Sequence, residues 1–120
     1  MTAPLAGRRF LVAEDEFYVA VRLERALCDA GAAVVLFASL APALAHAADG
    51  APLDAALLDI NLRGELSFPL ADALAARGVP VVFLSGYDAE TIPPPYREVA
   101  RLQKPVTLTR LIAELERLLG

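Results

Sequence analysis

The sequence predicts an α/β fold, a doubly wound parallel sheet of five strands with helices on both faces. Three observations predict it. Short apolar runs recur five times along the 120 residues. Stretches with helical spacing separate most of them, and the joints between the two are a few residues long. Runs apolar on both faces read as buried parallel strands, and parallel neighbours need a right-handed crossover, usually a helix.

The first strand is Arg9–Ala13, ending in the acidic triplet Glu14-Asp15-Glu16. Val19, Leu23, Ala26, Leu27 and Ala30 then follow helical spacing, and Gly31 sits where a left-handed residue ends a helix. Cys28 is expected on the inner stripe of that helix. Residues 33–38 form the second strand, and Ser39 is the natural cap of a helix over 40–48 with Asp49-Gly50 as exit. Residues 54–59 give the third strand, and a helix near 68–77 ends at Gly78. Residues 79–84 give the fourth, entered through Pro80, and 99–103 a weaker fifth. Thr107 caps a last helix whose stripe is Leu108, Leu111, Ile112, Leu115, Leu118 and Leu119. Residues 88–98 resist assignment, because Pro93, Pro94 and Pro95 each remove a donor and clash with a preceding helical turn. Residues 1–7 are expected to be a flexible lead-in to a single domain over 8–120.

Hydrophobic residues make up 57% and charged residues 22%, which excludes a disordered chain. No apolar run approaches the roughly 20 residues that span a bilayer, so no membrane association is expected. The start lacks the basic-then-apolar order of a signal peptide, and a lone Cys28 excludes a disulfide framework; both point to the cytoplasm. A net charge of −4 argues against nucleic acid as a direct partner.

In an open parallel sheet, function collects at the carboxyl ends of the strands. The first polar side chains after the apolar runs are Glu14 and Asp15, then Asp59, Ser85 and Lys104. Taken singly, each is how strands ordinarily end. Jointly they place three carboxylates at one rim, and two like charges about 4 Å apart repel by about 4 kcal/mol at an effective dielectric of 20. A fold gains nothing from that arrangement unless a cation binds. Carboxylates without His or Cys point to a hard ion, Mg²⁺ or Mn²⁺. Three negative charges are then balanced by the divalent ion and the Lys104 ammonium. His46, on a helix far from the rim, and Arg22, Arg25, Glu24 and Asp29 on the first helix read as ordinary half-buried or solvated positions.

Glu14-Asp15, Asp59, Ser85 and Lys104-Pro105, in that order on those strands, resemble the receiver domain of two-component response regulators, a flavodoxin-like fold. The resemblance runs from Arg9 to Leu119, and the chain's one lysine falls at the family's lysine position. It implies that Asp59 is the phosphoacceptor, attacking the phosphorus of a phosphohistidine on a histidine kinase or histidine phosphotransfer protein. It implies that Asp15, Asp59 and the backbone carbonyl of Asn61 ligate Mg²⁺, with Glu14 holding the metal's waters or binding directly. Lys104 would pair with a phosphoryl oxygen, the Ser85 hydroxyl would donate to another, and the N–H of Ile60 or Gly86 would add donors. Phe83-Leu84-Ser85-Gly86-Tyr87 is similar to the Phe-Ala-Thr-Gly-hydrophobic-Tyr signature of the "FAT GUY" receivers, mostly single-domain regulators of alphaproteobacteria. Here Leu84 replaces Ala, Ser85 replaces Thr, and Tyr87 comes one position early.

Two departures matter. The 19 positions from Ser85 to Lys104, with the triple proline, predict a short or irregular fourth helix in a mobile segment. The aromatic that ordinary receivers carry three residues before the lysine is here Arg101, whose guanidinium cannot be buried unpaired. Ser85, Tyr87 and Arg101 are therefore the switch positions to inspect. The resulting expectation is a stand-alone receiver that turns over no metabolite and signals by protein contact or phosphorelay. A downstream protein and a second copy, through the face of the last helix, are its further candidate partners. The competing expectation is a receiver-like interaction module acting with little or no phosphorylation. A phosphatase built on an aspartate nucleophile would need a second acid two residues on, where Asn61 stands.

Overall fold

The computed structural model describes residues 3–86 and 92–120. Five parallel strands, β1 (Arg9–Ala13), β2 (Ala33–Phe37), β3 (Ala55–Asp59), β6 (Val81–Ser85) and β7 (Ala100–Gln103), form one sheet in the order β2-β1-β3-β6-β7. The crossovers are α1 (Phe17–Asp29), α2 (Leu40–Ala48) and α3 (Phe68–Ala76), and α4 (Leu108–Leu119) ends the chain. A two-stranded hairpin, β4 (Asn61–Leu62) with β5 (Glu65–Leu66), follows β3 and is an element the sequence reading lacks.

Strand alternation sorts the core into two layers. Leu11, Ala13, Ala56, Leu58 and Phe83 face α2 and α3. Phe10, Val12, Leu57, Val82 and Leu84 face α1 and α4, meeting Leu23, Leu27, Leu111 and Leu115. The three central strands are buried along their whole length except for Arg9, as both-face apolar runs require. Strand β6 starts at Val81 rather than Val79: Pro80 has no N–H for the ladder, although its carbonyl accepts from Ala56 N at 2.9 Å.

Helix ends follow the sequence signals except at Ser39, and one position of a helical stripe, Cys28, departs from its expected face. Gly31, at φ +97°, closes α1 in a Schellman motif, with Ala32 N on Leu27 O and Gly31 N on Cys28 O, both 3.0 Å. Thr107 caps α4 by accepting from Arg110 N. Ser39 stands at the start of α2 without a side-chain cap bond. Cys28 is exposed, not inner: one residue past buried Leu27, it is rotated by about 100° out of the stripe.

Two segments expected to be loose are packed in their described parts. Leu5 is buried in the α1–α4 layer and its N–H bonds Ala30 O at 2.9 Å, so residues 3–7 close the bottom of the sheet instead of trailing as a flexible lead-in. Between β6 and β7 the described residues carry no α-helix, only a 3₁₀ turn, Pro94–Tyr96. That turn is docked: the Tyr96 ring stacks on Phe68 at 4.4 Å, lies edge-on to Phe83 at 6.3 Å, and its hydroxyl donates to Asp72 Oδ2 at 3.0 Å. Among the described residues no helix is long and apolar enough to cross a membrane.

Gly31 and Gly78 both need positive φ, but a Cβ on Gly31 would lie 2.9 Å from Ala3 Cβ and Ala6 Cα while one on Gly78 meets open space. Gly78→Ala should therefore cost about 1 kcal/mol, and Gly31→Ala about 2–4 kcal/mol, in urea denaturation. Equal losses would show that residues 3–7 do not pack there.

Candidate functional site

Parallel strands deliver their carboxyl ends to one rim. Glu14 and Asp15 follow β1, Asp59 ends β3, Ser85 ends β6, and Lys104 follows β7. Main-chain bonds fix these exits: Glu14 N donates to Phe37 O at 2.9 Å and Lys104 N to Ser85 O at 2.8 Å. The result joins residues as much as 90 positions apart. Lys104 Nζ lies 2.9 Å from both Glu14 Oε1 and Asp59 Oδ2. Glu14, Asp15 and Asp59 each offer a carboxylate oxygen, all within 4.8 Å of one another. Asp59 Oδ1 also accepts from Asn61 N at 3.3 Å.

The electrostatics follow from burial. Glu14 is 1% exposed, and that desolvation is the main reason its carboxyl is pushed up to about 8; the adjoining Asp59 carboxylate adds to the rise and Lys104 opposes it. Partial burial works against the charge of Lys104, but hydrogen bonds to Asp59 and Glu14 outweigh it and hold the ammonium above its usual range. One lysine thus serves two of the three acids.

The donor set fits a hard divalent cation. Glu14 Oε2 is buried with no hydrogen-bond partner among the described residues, a costly state that a metal or its water would relieve. The hairpin holds a further candidate oxygen. Ser67 N bonds Ile60 O at 2.8 Å, and Asn61 faces Leu66 one position on. Antiparallel pairs alternate between bonded and unbonded, so the main-chain groups of Asn61 turn away from Leu66. Its N–H meets Asp59, and its carbonyl is available to a cation held by the carboxylates. All of these donors are oxygens, the preference of Mg²⁺ and Mn²⁺.

The other expected site residues separate into two groups. Ser85 is 1% exposed at the same rim, and its register partner is Gln103 at the end of β7. Arg101 is exposed on the edge strand β7, so it does not occupy a buried aromatic position. Tyr87 lies outside the described residues. The Ile60 N–H is engaged by Leu84 O at 3.3 Å instead of facing the rim.

Two features were not anticipated. Tyr96 supplies an aromatic against Phe83, which is two residues before Ser85 and on the same face of β6. The hairpin turn reaches back to the site, with Arg63 N donating to Asp15 Oδ2 at 3.1 Å. The signal for the turn was Arg63-Gly64 between Leu62 and Glu65; the signal for Tyr96 was its place just after the prolines.

No protein-family model matches the chain, and no curated protein does. Solved structures do. The solution structure of SdrG from Sphingomonas melonis Fr1 is 40% identical, covers 94% of this chain and 97% of that one, and superposes with a TM-score of 0.80. The BeF3-activated conformation of SdrG, recorded from Pseudomonas melonis Fr1, is 36% identical over 99% and 98% of the two chains, with a TM-score of 0.77. The receiver domain of the hybrid histidine kinase CckA is 30% identical over 93% and 99%, also at 0.77.

The raised Glu14 carboxyl makes a pH prediction for metal-free protein. The folded chain holds this proton up to about 8 while the unfolded chain releases it near the ordinary 4.5. The group's contribution is therefore full below about 4.5 and is lost as pH rises toward about 8. Without metal, denaturation midpoints should fall across that window, and Glu14→Gln should flatten the fall. A wild-type profile no steeper than that of Glu14→Gln would contradict the assignment.

Proposed function

We propose, from the premise that this chain belongs to the response regulator receiver family, that it accepts a phosphoryl group on Asp59 from a phosphohistidine partner in a Mg²⁺-dependent reaction. The observation that carries the proposal is the meeting of Glu14, Asp15 and Asp59 within 4.8 Å, with Lys104 bonded to two of them.

Each residue has a role that its position supports. Glu14, Asp15 and Asp59, with the Asn61 carbonyl, would hold the ion. Bound there, Mg²⁺ neutralises phosphoryl charge and orients the phosphoryl oxygens, which is most of what phosphoryl transfer needs. An Asp59 carboxylate oxygen attacks phosphorus, the phosphorus–nitrogen bond of the donor breaks, and the imidazole keeps the electron pair and takes a proton from solvent. Lys104, already 2.9 Å from Asp59 Oδ2, pairs with the charge that arrives. Ser85 stands at the same rim as a donor to a phosphoryl oxygen. The chain turns over no metabolite in this scheme; its product is its own modified surface, used in the cytoplasm for protein contact or relay.

A partner has a place to land. A groove of about 280 Å³ is lined by Val19, Leu23, Pro105, Val106 and Leu108 together with the charged Glu16, Arg22 and Lys104. Phe17 and Tyr18 stand exposed at the start of α1 on the same rim. A phosphohistidine-bearing protein seated there would bring its imidazole over Asp59.

Beryllofluoride is the direct probe, because SdrG has a BeF3-activated conformation. With Mg²⁺ and beryllofluoride the wild type should gain several degrees in thermal midpoint, and Asp59→Asn should gain none. An equal gain in both would refute Asp59 as acceptor and favour an unphosphorylated interaction module. Mg²⁺ alone should stabilise the wild type near neutral pH and leave Asp15→Ala unmoved. Lys104→Ala should accept phosphoryl poorly from a small donor and show none of the amide shift changes seen in phosphorylated wild type. Wild-type changes in that variant would remove Lys104 from the role.

A further inference from the structure

The chain leaves Asp59 directly into the β4–β5 hairpin, whose turn is Arg63-Gly64 with φ of +53° and +87°. Two successive positive φ values are what a type I′ turn requires, and Arg63 is the one residue other than glycine with positive φ among the described residues. The turn's two N–H groups are both used. Gly64 N donates to Asn61 Oδ1 at 2.7 Å, which closes the hairpin on itself. Arg63 N donates outward to Asp15 Oδ2 at 3.1 Å, across 48 positions of sequence. The hairpin that carries the Asn61 carbonyl on its first strand thus also grips the Asp15 carboxylate just beyond β1.

We propose that the Arg63-Gly64 turn is the positioning clamp of the acid cluster: the Arg63 main-chain N–H holds the Asp15 carboxylate toward Glu14 and Asp59, and the turn's left-handed geometry sets the affinity for the divalent ion. The inference rests on the reading of the cluster as a metal site and names the part of the chain that tunes it. Asp15 follows the end of β1 and is only half-buried, so nothing in the sheet ladder fixes its side chain. Two neighbouring acids repel it toward solvent. A main-chain donor held by a short hairpin opposes that rotation without adding a competing ligand. Loss of a partner that orients a ligating carboxylate typically weakens metal affinity by about 10- to 100-fold.

The clamp is a main-chain donor, so side-chain loss and turn distortion separate. Arg63→Gly removes the guanidinium, keeps the N–H and eases the positive φ. Arg63→Ile keeps the N–H but places a β-branched residue where φ is +53°, which such residues strongly resist. Titrating Mg²⁺ into the purified full chain by calorimetry should give Arg63→Gly binding at least as tight as wild type. Arg63→Ile should bind about 10-fold more weakly or worse, with its urea midpoint recorded alongside. Equal affinities for wild type and Arg63→Ile would overturn the clamp, as would an equal loss in Arg63→Gly. A wild type that takes up no Mg²⁺ would sink the metal reading itself and the inference with it. Should Arg63→Ile not fold, amide hydrogen exchange in metal-free protein decides. The Arg63 N–H should exchange several-fold more slowly in wild type than in Asp15→Ala, and identical rates would overturn the clamp.

Discussion

Three acids and one lysine share a rim that the sheet cannot avoid building. Every parallel strand ends on the same side, so whatever polar residues follow the apolar runs are brought together whether or not they suit each other. Here Glu14, Asp15 and Asp59 do not suit each other. Lys104 answers part of the repulsion by bonding Glu14 and Asp59, and it can reach both because β7 lies two strands from β3 in the order β2-β1-β3-β6-β7. The remaining excess charge, and the unpartnered oxygen of Glu14, are what a divalent cation would answer. The fold supplies the crowding, and the crowding supplies the chemistry.

The surroundings of the rim divide the labour between rigid and local parts. The β1, β3 and β6 strands are buried on both faces and fix Glu14, Asp59 and Ser85 through the ladder. Asp15 and the Asn61 carbonyl come from connecting segments, and the hairpin after β3 ties those segments to each other. On the other side of Ser85, the stack of Phe68, Phe83 and Tyr96 fills space next to β6 where the described chain has only a 3₁₀ turn.

Much of this was legible in the residues. Strands and helices show because the periods of burial are regular, and the site shows because strand ends are marked by the first charge after an apolar run. Gly31 and Thr107 announce helix ends by backbone freedom and a hydroxyl, and both do what those features allow. The failures are equally specific. Cys28 sits next to Leu27 in sequence, and one residue of helical rotation is enough to move it from core to surface. The hairpin was hidden because its turn is Arg-Gly, not Asn-Gly, and the bond from Arg63 N to Asp15 is a tertiary contact that no local pattern encodes. Leu5 is buried by the packing of α1 and α4, two elements remote from it in sequence. Tyr96 is placed by Phe68 and Asp72, again through contacts rather than period.

The central claim is that one divalent ion sits among these carboxylates. Anomalous diffraction from crystals of the full chain soaked in Mn²⁺ addresses it without any partner protein. The account predicts a single strong peak bounded by Glu14, Asp15 and Asp59 with the Asn61 carbonyl among its ligands. No peak there, or a peak held by other residues with Glu14 and Asp59 still paired to Lys104, would contradict it.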